Sequence, residues 1–155
     1  MAYTVVRTDK LLGTTSAPYL VSARYQVSDV DTAIENGSIV ELNGLMEGQR
    51  ELYIANKPTA SSTLGKLALV ATPEICYEAN KHRLSDFINE AGSNIRCYIL
   101  HSGGIFSVSK AGVDGDAVVG SKLAVQAGLK LKVDAAGTLA TVIAIENDFV
   151  VIQIA

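Results

Sequence analysis

Four side chains that can bind metals or act as nucleophiles lie in the middle of the chain: Cys76, His82, Cys97 and His101. Zinc binds thiolate and imidazole ligands in a tetrahedron, and its structural sites usually begin with two ligands separated by two to four residues. Here the first pair is C-x5-H, and Cys97 and His101 would lie about 13 Å apart on one strand. This spacing predicts no zinc site and indicates two cysteines packed as small hydrophobic side chains.

A catalytic cysteine needs a nearby base and an electropositive environment that favour its thiolate. Cys97 lies between Arg96 and Tyr98 in a predicted core strand, and no third orienting group stands out. A disulfide between Cys76 and Cys97 would require an oxidising compartment, which nothing in the sequence indicates.

Two glycine-containing segments have the flexibility of ligand-binding loops but lack the residue spacing and the ligand residues that such loops need. Ser102–Gly104 lacks the spacing of phosphate-binding loops, and no long helix follows it. Asp114–Asp116 lacks the further oxygen ligands of a calcium loop. Neither His82 nor His101 belongs to a recognisable Ser-His-Asp arrangement. We therefore predict a hairpin turn between Leu100 and Ile105, a plain turn at Asp114–Asp116, and no catalytic residue, metal or cofactor for the chain.

The elements that would position any site are short strands. Tyr19, Val21, Ala23, Tyr25 and Val27 alternate with polar residues, which is typical of a half-buried strand. Turn signals every eight to twelve residues favour a compact barrel or sandwich of antiparallel strands over a parallel α/β sheet. The other predicted strands cover 38–42, 51–56, 66–72, 95–100, 105–109, 121–125, 129–133, 138–146 and 149–154.

One short helix is predicted over about 84–91. Its apolar positions Leu84, Phe87, Ile88 and Ala91 follow helical spacing, with Ser85 as N-cap and Gly92 as the stop. By contrast, residues 1–18 show no period, which predicts an extended N-terminal arm before one β-rich domain at 19–155. Asn147 and Asp148 tolerate positive φ and predict a tight hairpin.

Composition narrows the class of protein. The chain is 48% hydrophobic and 19% charged, which excludes an intrinsically disordered protein. A net charge of −3 argues against a nucleic-acid partner. The longest apolar runs, of about five residues, are too short to span a bilayer, so no membrane partner is expected. The N-terminal residues lack the pattern of a signal peptide.

Four segments resemble structural proteins of tailed-phage virions: IENGSIVELNG (34–44), LSDFINEAGSNIRCYIL (84–100), HSGGIFSVSKAGVDG (101–115) and VGSKLAVQAGLKLKV (119–133). The phrase GGIFSVSKAGVDG is similar to a G-D-x-F-S-V-T strand and turn of those proteins, with Gly103-Gly104 where Gly-Asp is usual. Residues 127–131 are similar to their x-G-x-K-L strand opening. The family they resemble is the capsid decoration, or head-stabilisation, proteins.

The resemblance implies a non-enzymatic virion protein with a β-rich body and a flexible arm. Such a protein is made in the bacterial host cytoplasm and binds the major capsid protein on the capsid exterior, often as a homotrimer. An arm of this kind can bind by adding a strand to a neighbour. The arm residues implied to contact the capsid are Tyr3, Val5, Val6, Leu11, Leu12 and Tyr19.

Two other functions stay open at this point. Tail-tube and head–tail connector proteins also use β-sandwiches with extended arms. A small ligand-binding β-barrel is the third possibility, in which His101, Cys97 and Tyr98 would be the residues to mutate.

Overall fold

The structure is a computed structural model that describes residues 3–7, 19–78, 80 and 83–155. The described residues form twelve strands and three short 3₁₀ turns, which confirms the predicted mainly β fold. The strands are β1 (Leu20–Val27), β2 (Val30–Asp31), β3 (Ile39–Leu45), β4 (Leu52–Asn56), β5 (Leu67–Val70), β6 (Ile95–Ile99), β7 (Ile105–Ser109), β8 (Val113–Asp114), β9 (Lys122–Ala124), β10 (Leu131–Val133), β11 (Ala140–Glu146) and β12 (Phe149–Ile154). The 3₁₀ turns are Leu64–Lys66, Leu84–Asp86 and Lys110–Gly112.

The first sheet closes into a barrel of five strands. Its order is β2-β1-β4-β3-β5-β6, and a further pairing between β1 and β6 closes the ring. Alternate residues of β1, among them Ala23 and Tyr25, point into the barrel and are buried, as the period-2 pattern predicted. The barrel interior is filled by side chains of the chain itself.

The second sheet is curled against the barrel, in the order β7-β12-β11-β9-β10-β8. The prediction of antiparallel strands is wrong for two pairs, because β1 pairs parallel with β4 and β8 pairs parallel with β10. Parallel neighbours require a crossover connection. In both cases another strand of the same sheet lies between them in sequence, and no local pattern shows such a pairing.

Strand β5 joins the barrel to the second sheet, and all four of its residues are buried. Leu67 and Leu69 face the second sheet, whereas Ala68 and Val70 face the barrel interior. A strand buried on both faces has no reason to alternate, which explains its uninterrupted apolar sequence.

The predicted helix over 84–91 is wrong. The structure has only the 3₁₀ turn Leu84–Asp86, after which the chain runs to an isolated bridge between Asn89 and Ile34. Each of these two residues donates its backbone N–H to the other's carbonyl oxygen, at 2.9 and 3.0 Å. A helix of two turns is marginal in water, so this long-range pairing outcompetes it.

Candidate interaction surface

The cysteines and histidines of the sequence do not form a reactive centre in the part of the chain that the structure describes. Cys97 lies fully buried in the barrel, and burial raises the pKa of its thiol to about 12, so the thiol stays protonated at neutral pH. Cys76 is half-buried, and both thiols are free. His82 lies outside the described residues. Among the residues that are described, no three side chains are grouped to hold a metal ion.

His101 has a structural environment. Its ring stacks on the ring of Tyr19, with centroids 4.0 Å apart and planes 15° apart. His101 and Tyr98 border a small open depression, which Leu69, Phe106 and Ile154 line with apolar surface. This depression lies between the barrel and the second sheet and not inside the barrel, where the ligand-binding alternative would need its cavity.

The chain turns at Ser102–Gly104 and bends at Gly115. Gly103 has φ +80° and donates its N–H to the carbonyl oxygen of Ile154 at 3.0 Å, while the Gly104 N–H bonds His101 O. These backbone donors are used within the fold and are not free to bind a phosphate. At Asp114–Asp116, Gly115 has φ +97° and Asp114 accepts a hydrogen bond from Gln126. The chain does turn at Ser102–Gly104, but the predicted hairpin between Leu100 and Ile105 is wrong, because β6 and β7 belong to different sheets and do not pair.

Residues 3–7 run antiparallel beside β7 and pair with it through one isolated bridge. The Arg7 N–H donates to Ser107 O at 2.9 Å, the Ser109 N–H donates to Val5 O at 2.8 Å, and Val6 forms an antiparallel bridge with Val108. Val6 is only 1% exposed and belongs to the core between the two sheets. This part of the N-terminus is therefore integrated into the fold of its own chain.

The six arm residues implied to contact a capsid have different positions. Val5 and Val6 are buried in the body, and Tyr3 is half-buried, with its N–H bonded to Ser85 O at 3.0 Å. Tyr19 is half-buried against His101. Leu11 and Leu12 lie outside the described residues.

The connection between β5 and β6, residues 71–94, exposes three large apolar side chains. Tyr77 is 94% exposed, Ile75 is 61% exposed and Leu84 is 48% exposed. We call these three residues the apolar flank. Beside them runs an open groove lined by 75–78, 86–88 and Glu90. Connections longer than about 15 residues are uncommon in compact domains and are usually functional or disordered.

A buried amide network holds this connection in place. Asn36 donates from Nδ2 to Thr72 O at 2.7 Å and accepts at Oδ1 from the Thr72 N–H at 3.1 Å. Asn89 Nδ2 donates to Asn36 Oδ1 and to Ile34 O, both at 3.0 Å. Because both amides are buried and hydrogen-bonded, they fix the connection near its start and near its end.

A second pair of exposed apolar residues, Val118 and Val119, lies on the turn before β9. The Ser121 N–H bonds Val118 O at 2.9 Å, and the Gly120 N–H bonds Val142 O at 2.8 Å, with Gly120 at φ +90°. Two adjacent valines are thus presented to solvent by a hydrogen-bonded turn.

Sequence reasoning did not assign residues 74–83, and the apolar flank was missed. The available signal was weak: Ile75 and Tyr77 stand between acidic residues after Pro73, with no helical or strand period. Such a segment predicts a loop, but not which of its side chains are exposed.

The fold and this surface define a class: a small closed β-barrel packed on a curled sheet, with its own N-terminal segment paired beside that sheet and apolar side chains exposed on a long connection. Comparison with family models, curated proteins and solved structures finds no match. No helix in the described residues is both long and apolar enough to cross a membrane.

Proposed function

We propose that this chain is a non-enzymatic phage virion protein that binds the outer surface of the capsid lattice and stabilises the head. Its partner is the major capsid protein, and it acts as a homo-oligomer, with a trimer favoured. The β-rich body agrees with the resemblance in 34–44 and 84–133, although the fold alone does not define a function. The observation that carries the proposal is the apolar flank.

The apolar flank has the composition of a protein-binding surface. Fully burying a side chain such as Ile or Leu contributes about 1.5–3 kcal/mol. Aromatic residues are common among the side chains that dominate interface energies, and Tyr77 is almost fully exposed. A capsid lattice repeats the same site, so an oligomer that engages several copies gains further affinity from effective concentration.

Acidic residues beside the apolar flank indicate the charge of the surface that it binds. Asp86 and Glu90 line the groove beside the apolar flank, and no described residue that lines this groove is basic. We expect the matching capsid surface to present Lys or Arg beside apolar residues. Complementary charges of this kind mainly accelerate association and make it sensitive to salt.

The test is co-sedimentation of the purified protein with expanded shells of the phage that encodes it. We expect saturable binding at a fixed ratio to the capsid subunit. The variant Ile75→Ser with Tyr77→Ser should bind at least about tenfold more weakly, equivalent to about 1.4 kcal/mol. The matched control is Val30→Ser, because Val30 is 64% exposed on the β1–β2 hairpin, away from this connection. Absence of binding by the wild-type protein to mature shells would overturn the proposal.

The predicted arm contacts need a separate variant. Deleting residues 1–18 would remove Val5 and Val6 from the core and would confound binding with stability. The variant Leu11→Ser with Leu12→Ser leaves residues 3–7 intact. Weaker shell binding by this variant, with unchanged thermal stability, would support the arm as a capsid contact. Rings or tubes of the purified protein in electron micrographs would instead indicate a tail-tube or connector component.

A further inference from the structure

The chain contains the dipeptide Asn-Gly twice, at Asn36-Gly37 and at Asn43-Gly44. An asparagine side chain can react with the backbone nitrogen of the next residue when that nitrogen approaches the side-chain carbon Cγ. Glycine favours this approach, because it is conformationally free and has no Cβ atom that would hinder it. Since the two dipeptides are identical, their surroundings in the fold decide which of them reacts.

The fold locks the first dipeptide. Asn36 is only 1% exposed, its Nδ2 donates to Thr72 O at 2.7 Å, and its Oδ1 accepts from Asn89 Nδ2 at 3.0 Å. The Gly37 N–H, which carries the nitrogen that would attack, donates to Val70 O at 2.8 Å. A reaction here must break buried hydrogen bonds and leave their partners unsatisfied, which is costly.

The second dipeptide is open. Asn43 and Gly44 are both exposed. They lie at a bulge of β3, where Asn43 pairs with Ile54 and Leu45 pairs with Tyr53, so that no residue of β4 lies opposite Gly44. A bulge leaves its extra residue unpaired and disrupts the ladder locally. Among the described residues other than its two chain neighbours, none has an atom within 4 Å of the place where a Cβ of Gly44 would be.

The side chain of Asn43 is held by a weak restraint. Its Nδ2 donates to Asn56 Oδ1 at 2.8 Å, in a hydrogen bond that is exposed to solvent. Water can replace this partner, so the net free energy needed to release the amide is small. On the other side of β3, the pairing with β5 covers Ile39–Glu41 and does not reach Asn43.

We infer that Asn43 is a site of self-modification, at which the side-chain amide becomes a carboxylate while Asn36 stays intact in the folded protein. The Gly44 nitrogen gives its proton to hydroxide and bonds to Asn43 Cγ. The Cγ–Nδ2 bond breaks, Nδ2 takes a proton from water and leaves as ammonia, and a succinimide ring remains. Water then adds to either carbonyl carbon of the ring and opens it to aspartate or isoaspartate. One water is consumed, one ammonia is released and nothing is oxidised.

The product would alter a chain of hydrogen bonds that joins three strands of the barrel. Asn43 donates to Asn56, and Asn56 Nδ2 donates in turn to Gln26 O at 2.8 Å. An ionised carboxylate only accepts hydrogen bonds, so Asn56 Oδ1 loses its donor. Asn56 can turn its amide towards the new carboxylate only by giving up Gln26 O. The modification therefore acts on the contact between β4 and β1, and it does not depend on the capsid proposal.

The test follows both dipeptides in the same full-length protein. One sample is kept folded at pH 8.5 and a second is kept in concentrated guanidinium chloride at the same pH. Peptide mapping by mass spectrometry measures the acid formed at Asn43 and at Asn36 over several weeks, and chromatography separates aspartate from isoaspartate. In the folded sample we expect Asn43 to convert at least about tenfold faster than Asn36, because the buried amide must first lose its partners. In the denaturant the two rates should be comparable.

The variant Gly44→Ala separates the proposed chemistry from simple exposure of the amide. The space around the added Cβ is open, so the variant should fold with unchanged thermal stability. Its conversion at Asn43 should nevertheless be severalfold slower, because the methyl group hinders the attacking nitrogen. Equal rates at Asn43 and Asn36 in the folded wild type would overturn the inference. So would an intact Asn43 in the folded protein at a time when the denatured sample has converted.

Discussion

Replacing Leu69 by alanine should destabilise the barrel and the second sheet together. Leu69 is fully buried on β5 and faces the core shared with the second sheet, while its neighbours Ala68 and Val70 face the barrel interior. A cavity at this position weakens the contact that makes the two sheets one folding unit. The variant therefore tests whether the chain unfolds as a single domain.

The expected magnitude follows from the atoms removed and their surroundings. Leu→Ala removes three carbon atoms, worth about 2.4 kcal/mol at about 0.8 kcal/mol each. The cavity left behind adds to this, and buried Leu→Ala substitutions cost about 2–5 kcal/mol in total. Leu69 also lines the small depression beside His101, so the new space joins an existing one. We expect a loss of about 3 kcal/mol.

Urea unfolding followed by far-UV circular dichroism and by tyrosine fluorescence measures this loss. The chain has six Tyr and no Trp, so fluorescence reports the tyrosines, including Tyr25 inside the barrel. Both probes should show one transition, shifted by about 1.5 M urea for a slope near 2 kcal/mol per M. The control Leu45→Ala should lose less than about 1 kcal/mol, because Leu45 is exposed. A loss below 1 kcal/mol at Leu69, or two separate transitions, would refute this reasoning.

Three further predictions concern the groove around residues 3–7 and the buried thiol. Gly112→Ala should lower the free energy of unfolding by about 1–3 kcal/mol, because its Cβ would overlap Val108 and press on Thr4. The control Gly65→Ala has open space around its Cβ and should stay within about 0.5 kcal/mol of wild type, measured by urea unfolding as above. Equal stability of Gly112→Ala and Gly65→Ala would contradict the close packing around Thr4. Iodoacetamide at pH 8.5 should modify Cys76 in the folded protein and Cys97 only after unfolding, because burial raises the pKa of the Cys97 thiol from 9.0 to about 12. The raised pKa of Cys97 adds to the free energy of unfolding fully below pH 9, and this contribution is lost between pH 9 and 12. From pH 8 to 10 the wild type should therefore lose about 1.4 kcal/mol more of its free energy of unfolding than Cys97→Ala. An equal loss in both proteins would contradict the burial of the thiol.

Much of the strand content was predictable, because it depends on local patterns. The alternation in β1 predicts which residues enter the barrel, and Asn147, with φ +55°, forms the tight hairpin between β11 and β12. Strand pairing was not predictable to the same degree. The parallel neighbours β1 and β4 are separated in sequence by other strands, so no local pattern indicates that they pair. The uninterrupted apolar sequence of β5 predicts that it is buried, but not which two strands it pairs with.

The helix prediction at 84–91 failed for a related reason. Its apolar spacing is correct for a helix, but Asn89 bonds Ile34 and Asn36, more than fifty residues earlier. A long-range amide network of this kind leaves no local signal. The surface was harder to predict still, because the exposure of Ile75 and Tyr77 depends on the path that this network imposes on the connection.

The conformation of the N-terminal segment 3–7 also depends on long-range contacts that leave no local signal in the sequence. Residues 3–7 have no period of their own, and they pair beside β7 because β7 offers an edge and Gly37 and Gly112 leave room for Thr4. Aperiodicity predicted an extended arm over 1–18, of which the structure describes residues 3–7. It did not predict that Val5 and Val6 complete the core of the body.

The groove around residues 3–7 and the apolar flank share parts. Ser85, whose carbonyl binds the Tyr3 N–H, lies in the turn that begins with Leu84 of the flank. Glu35, which binds the Thr4 N–H, is adjacent to Asn36, whose amide holds the start of the same connection. Residues 3–7 therefore bond the same segments that position the apolar flank, so binding of a partner at the flank and binding of these residues in their groove are expected to affect each other.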